Sequence, residues 1–245
     1  YARLLSGKGA QAARNYGVKI ATHDWIAFQD SDDLWLEEKL SVQVASLSER
    51  AFAKNIVVHG NGIKRIESTN EETLINVKHT EGYCYTQLLI NPAPMFPSML
   101  VSKKALLDIG GLDCDCHAYQ EWDTAIRLAK YCEFIHIRDP LFIWVWHSGE
   151  TISKDTRRSI LGYNYILDKN MRDIIKYCGI RAWRKEKMGI VAQAMRAKIW
   201  GDVHEMLTNQ EYHPSVQMAR FFLRLRFAPR GIARLLRFAA NWGSE

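Results

Sequence analysis

Asp30, Asp32 and Asp33 place three carboxylates within four residues, directly after the apolar run Trp25-Ile26-Ala27-Phe28. A run of that length and composition reads as a buried strand over residues 25–28. The carboxylates then sit where the strand leaves its sheet. In open α/β sheets, ligands bind beyond the carboxyl ends of the strands. Hard oxygens this close repel one another until a cation neutralises them, and a divalent metal bridging diphosphate oxygens is the natural partner. Asp and Ser also build ordinary turns, and Asp33 could cap a following helix. Three carboxylates on one strand end, behind a Gly/Ala/Arg-rich segment, favour the metal reading.

A second acidic group, Gln120-Glu121-Trp122-Asp123, opens a helix read over residues 118–131. Asp123 and Arg127 stand four apart and can pair on the helix surface. Trp122 and Ile126 share a face that enters the core. Glu121 lies off that face in the first turn, where the helix dipole alone favours acidic residues. Just upstream, Cys114-Asp115-Cys116-His117 lacks a second ligand pair at zinc-site spacing and reads as a surface loop.

The elements that must hold these residues alternate. Residues 7–17 open with a small-residue turn and continue as a helix stopped by Gly17. A helix over residues 37–47 carries Leu40, Val44 and Leu47 on one face. Short strands at 55–58 and 63–66 are joined by the turn signal Gly60-Asn61-Gly62, and 73–77 is a further strand. Residues 91–97 hold three prolines and cannot be regular structure. They lead into a strand at 98–101 and a short helix at 103–109, stopped by Gly110-Gly111. Strands at 134–137 and 141–145 follow. Beyond Thr151 strand signals vanish, and 155–179, 181–208 and 214–240 read as helices. This alternation implies an α/β sheet over residues 1–153 and a basic helical region over 154–245.

The 245 residues are 47% apolar, enough for one sizeable core with a helical appendage. No apolar run reaches the roughly 18 residues a membrane span needs, and no charged-then-apolar leader is visible. Five cysteines at irregular spacing argue against a disulfide framework and for a reduced, cytoplasmic setting. The formal charge of +6 is uneven: residues 154–245 carry 18 Lys+Arg against 8 Asp+Glu, and the rest carry 15 against 19. That asymmetry suggests two jobs.

Four blocks, in order, resemble family 2 glycosyltransferases of the GT-A fold. They are Gly9-Ala-Gln-Ala-Ala-Arg14-Asn15-x-Gly17, then residues 26–40 from the strand through Asp30-Ser-Asp32-Asp33-x-Trp35 to Lys39-Leu40. Residues 98–101 through Gly110-Gly111-Leu112-Asp113 form the third, and Gln120-Glu121-Trp122-Asp123 with Arg127 the fourth. The resemblance covers about residues 7–153 and implies a Rossmann-like mixed sheet flanked by helices, with a C-terminal helical extension. It further implies an inverting sugar transferase using a nucleotide-diphosphate sugar. Asp30, Asp32 and Asp33 would be the metal motif for Mg2+ or Mn2+, with His147 a further ligand. Gly9, Arg14, Asp30, Asp32 and Trp122 would face the nucleotide sugar. Glu121 would be the general base that takes a proton from the acceptor hydroxyl. The acceptor would be a bacterial cell-surface polysaccharide or lipid-linked glycan. The family's nucleoside-holding first strands are absent from this sequence, so the chain reads as N-terminally truncated. Gln120 stands where the family usually has an acid.

Residues 214–240 mix arginines with bulky apolar residues, a composition suited to an anionic membrane surface or to packing on protein. Pro229-Arg230-Gly231 divides them into two short helices. A surface-bound transferase would then work at the inner face of the membrane. The arginines match no nucleic-acid motif, so nucleic acid is not an expected partner. Two alternatives remain open at this point. One is a phosphohydrolase of the haloacid dehalogenase type, whose pattern wants Thr or Val where this chain has Leu34. The other is a non-catalytic fragment that binds membrane or partner through the basic tail.

Overall fold

The computed structural model describes residues 9–77, 80–149, 155–208 and 213–241. They divide into two units, one holding the described residues to Asp115 with Gln120–Gly149, the other Cys116–Tyr119 with the residues from 155 onward. The sequence division at 153/154 left Cys116–Tyr119 with the sheet.

The first unit is built on a mixed sheet. Its strands are β1 (Trp25–Ala27), β2 (Leu34–Trp35), β3 (Ile56–Ile66), β4 (Glu72–Ile75), β5 (Leu100–Ser102) and β6 (Glu133–Trp146). The order is β1-β5-β3-β6-β2, with β4 also on β3. Among the described strands only β3 and β6 run parallel; the other pairs are antiparallel. β1 and β2 stand at opposite ends of this path, so the acidic segment 28–33 between them crosses the end of the sheet.

Two strand pairs expected from the sequence are each one strand. Gly60-Asn61-Gly62 is not a turn: β3 runs straight through it, and the β3/β6 register shifts at Gly60/Asn61 and Asn61/Gly62. The bulge absorbs Pro140, which cannot donate to a regular ladder. A Cβ on Gly60 would lie 2.6 Å from Leu141 Cδ1, and one on Gly62 2.5 Å from Phe142 Cε1. The glycines are therefore there for close approach of β6. Asn61 fills the irregularity, donating to the Arg138 carbonyl at 2.6 Å and accepting from the Val77 N–H at 2.9 Å.

Helices α1 (Ala10–Ile20), α2 (Lys39–Ser48), α3 (Tyr85–Leu88), α4 (Lys103–Asp108) and α5 (Gln120–Ala129) belong to this unit. α1 continues through Gly17, because Val18 beyond it is buried and packing outweighs glycine's poor propensity. α2 buries Leu47 as expected but turns the rest of that face outward: Leu40 and Val44 are exposed, and Lys39 and Gln43 are buried instead. The reason is hydrogen bonding. Gln43 Nε2 donates to the Val58 and Ser98 carbonyls at 3.3 and 2.8 Å, and Lys39 Nζ donates to Gln43 Oε1 at 2.7 Å. Those interior carbonyls need donors that leucine cannot supply. The proline segment ends in a 3-10 turn, Phe96–Ser98.

The second unit is helical: α6 (Thr156–Lys169), α7 (Met171–Cys178), α8 (Ile180–Arg196), α9 (Trp200–Thr208), α10 (Pro214–Arg224) and α11 (Ile232–Ala239). Each long helix expected from the sequence is broken in two. The break within 214–240 falls at Pro229-Arg230-Gly231, as expected. α8 is the central member, burying Trp183, Met188, Val191, Ala194 and Met195. Lys187 on α8 is wholly buried and reaches α6, donating to Asn164 Oδ1 at 2.6 Å and Asp168 Oδ1 at 2.7 Å. The five cysteines form no disulfide.

Candidate active site

Arg14 is the hub. One α-helical turn into α1, its guanidinium donates to Asp30 Oδ1 at 2.5 Å, Gln120 Oε1 at 2.9 Å and Gln11 Oε1 at 3.1 Å. Its Cζ lies 4.7 Å from the centre of the Phe96 ring, which in turn packs on Phe28. One side chain thus ties the acidic segment, the start of α5 and the proline segment together. A planar fork with several fixed donors can do this, whereas a lysine ammonium cannot.

The next residue locks the frame. Asn15 donates to the Leu112 carbonyl at 2.8 Å and accepts from the Leu112 N–H at 2.7 Å. Gly111, at φ +79°, leaves room for it: a Cβ there would lie 2.8 Å from Asn15 Oδ1. Arg127 holds the same turn from α5, donating to the Ile109 and Gly111 carbonyls at 2.9 and 2.6 Å and to Asp123 Oδ2 at 2.9 Å. The Arg-Asn dipeptide therefore has divided roles. Arg14 organises the site, and Asn15 fixes the turn that leads to α5.

Glu121 follows Gln120 on α5, within electrostatic reach of Arg14 and Asp30. Its residue keeps partial exposure, yet the protein around the carboxyl strips it of water. That desolvation raises its pKa above the usual 4.5, against the lowering pull of its own backbone N–H and of Arg14, while Asp30 adds to the rise. The glutamate and the aspartate segment share one polar cluster.

The three aspartates do not converge. Asp30 is engaged by Arg14. Asp33 is buried and accepts from the Val145 N–H at 3.2 Å, a strut from the acidic segment to β6. Burial, chiefly, pushes its carboxyl up to about 7, and Asp30 and Asp32 reinforce the rise against the Val145 bond and His147. Asp32 is exposed, and its Oδ2 lies 3.3 Å from His147 Nε2. Among the described residues no three His, Cys, Asp or Glu side chains gather where one metal ion could sit. The three carboxylates expected from spacing to act as one set are each placed beside a different partner, because the segment must cross from β1 to β2 and is pinned on the way. A carboxylate oxygen facing an imidazole nitrogen is still a donor pair that suits a divalent cation.

The remaining residues read from the sequence fall as follows. Gly9 is the N-cap of α1. Trp122 is wholly buried, and its indole N–H donates to the Leu88 carbonyl at 2.5 Å. It therefore supports α5 from within the core and does not face a ligand, contrary to the expectation for it. Sequence reasoning missed Phe96, Gln11 and Val145, which meet the site only through long-range packing. It also missed the part played by Lys39. That side chain is buried against Trp35, 4.4 Å from the ring centre, and Trp35 Nε1 donates to the Phe28 carbonyl at 3.2 Å. Burial lowers the Lys39 pKa to about 8.

This fold agrees with the likenesses the chain shows. Residues 1–109 match the model of glycosyl transferase family 2. The chain is 23% identical over 175 residues to an uncharacterized glycosyltransferase of Haemophilus influenzae, covering 70% of this chain and 59% of that protein. It thus spans well under two thirds of that relative's length. Over 40 residues, 16% of each chain, it is 48% identical to the Escherichia coli UDP-Glc:alpha-D-GlcNAc-diphosphoundecaprenol beta-1,3-glucosyltransferase WfgD. In fold it resembles the crystal structure of S. aureus TarS 1-349, with a TM-score of 0.58 and 12% identity over 99% of this chain and 75% of that one. The architecture is the GT-A-like α/β arrangement, and the match to the glycosyltransferase model favours sugar transfer over the haloacid dehalogenase alternative. No described helix is long and apolar enough to cross a membrane.

Proposed function

We propose that the chain transfers a sugar from a nucleotide-diphosphate donor to an acceptor hydroxyl in a single inverting displacement. The observation that carries this reading is Arg14 bridging Asp30 and Gln120, which brings the acidic segment beside Glu121. Glu121 acts as the base. A carboxylate whose pKa is raised holds a proton more readily, so it accepts the acceptor's hydroxyl proton better than an ordinary glutamate. Arg14 keeps Asp30 and the start of α5 in register for that step. Asp32 and His147 are the residues that would hold Mg2+ or Mn2+. When bound, that cation would neutralise charge developing on the leaving diphosphate. WfgD, by its name a UDP-Glc:alpha-D-GlcNAc-diphosphoundecaprenol beta-1,3-glucosyltransferase, favours a lipid-linked glycan as the acceptor class and UDP-glucose as the first donor to try.

The test is a screen of the full-length protein against several nucleotide sugars with Mn2+ or Mg2+. Asp32→Ala should abolish metal-dependent nucleotide binding. Glu121→Gln should keep binding and lose transfer. Normal transfer by Glu121→Gln would sink the base assignment.

A further inference from the structure

Residues 213–241 contain six arginines and no acidic residue. Within them α10 buries Ser215, Val216 and Ala219, and α11 buries Ile232, Leu236 and Ala239. Each helix has thus met its packing need with one narrow stripe. Large apolar side chains are nevertheless left outside: Phe221 is 58% exposed, Leu225 57%, Phe227 55%, Leu235 44% and Phe238 61%. Phe221 and Leu225 stand four apart, and Leu235 and Phe238 three apart, so each pair shares one side of its stretch. Arg224, Arg226, Arg230 and Arg234 are exposed among them. An ordinary solvated helix face does not combine bulky exposed phenylalanines with uncompensated cations.

We propose that this arginine-phenylalanine face of α10, α11 and their link docks on a membrane surface bearing anionic headgroups. The arginines meet lipid phosphates and the phenylalanines and leucines enter the acyl boundary. The chemistry on both sides fits. Guanidinium groups pair with phosphate bidentately, and amphipathic helices lie in the interface with the apolar side down. A protein partner would have to supply acidic groups for every arginine, whereas an anionic bilayer presents them at any register. The two helices are too short and too charged to span, so the attachment is peripheral and reversible. The inference does not rest on the sugar-transfer reading, although a lipid-linked acceptor would place the substrate on the same surface.

The experiment is co-sedimentation of the full chain with vesicles of phosphatidylcholine alone and of phosphatidylcholine mixed with phosphatidylglycerol, needing no sugar substrate. Binding is expected only to the anionic vesicles and should weaken as salt rises. Arg226→Gln, Arg230→Gln and Arg234→Gln together should weaken it on the order of a hundredfold. Phe221→Ser with Phe227→Ser should weaken it even at low salt. Circular dichroism and the thermal midpoint verify that both variants are folded. Equal binding to neutral vesicles, no binding to anionic ones, or a self-association that the phenylalanine changes abolish without any vesicle binding would overturn the proposal.

Discussion

Arg14 and Asp30, sixteen residues apart, meet at 2.5 Å, and the same guanidinium holds Gln120 across a sequence separation of 106. The pair is partly exposed, so its worth to stability is small, on the order of 1 kcal/mol. Its worth to the site is larger. Arg14→Lys keeps the charge and loses the fork. Under the proposed function, kcat/KM for sugar transfer should fall about a hundredfold with a thermal midpoint within a few degrees of wild type. An unchanged kcat/KM would show that Arg14 does not organise the site.

Asn15 gives the opposite prediction. Its amide satisfies both the N–H and the carbonyl of Leu112. Asn15→Ala leaves two partly buried backbone groups unpaired and should cost about 2 kcal/mol in denaturant unfolding. Gly111→Ala should be at least as damaging, since it combines a left-handed φ with a close approach to Asn15 Oδ1. A clear loss in both variants, with Asn15→Asp intermediate, would establish the clamp; no loss would refute it.

The pH dependence of transfer follows from Glu121. A base works when deprotonated, and desolvation raises this carboxyl above its usual 4.5. Activity should therefore rise with pH through a midpoint above that value. Glu121→Gln should remove the acid limb and lower kcat by about 100- to 10,000-fold. A wild-type limb centred at an ordinary glutamate pKa would contradict the desolvated position of Glu121.

His59 predicts an acid sensitivity separate from catalysis. It is fully buried on β3, its ring is stacked on His136 at 4.9 Å, and Nε2 lies 2.7 Å from the Thr80 carbonyl. Burial lowers its pKa from 6.5 to about 4, partly offset by the Thr80 carbonyl and deepened by His136. The unfolded chain takes up a proton below 6.5 that the folded chain refuses. Stability is thus full above that pH and is lost as pH falls from about 6.5 toward about 4, by roughly 3 kcal/mol. Urea unfolding across that window should show the slope, and His59→Gln should flatten it. A wild-type profile as flat as the variant's would mean that His59 is not desolvated.

Several features were legible in the residues themselves. The β1 strand, the acidic segment after it, the Asp123–Arg127 pair, the burial of Trp122 and Ile126, and the break at Pro229 are all local. Strand composition, i,i+4 spacing and proline chemistry act within a few residues, so the sequence carries them openly. The expected inward face of α2 failed, because its partners, the Val58 and Ser98 carbonyls, arrive from distant strands. Gly60-Asn61-Gly62 failed likewise, because the crowding that requires those glycines comes from Leu141 and Phe142.

By itself the sequence determined which side chains were available for chemistry, roughly where strands give way to helices, and that the positive charge lies in the C-terminal part. Tertiary structure alone decided which carboxylate faces which partner. It sent Asp30 to Arg14, Asp32 to His147 and Asp33 to Val145. The reason is that these pairings close over sixteen to more than a hundred residues. Their geometry is set by the order β1-β5-β3-β6-β2, which no local spacing encodes.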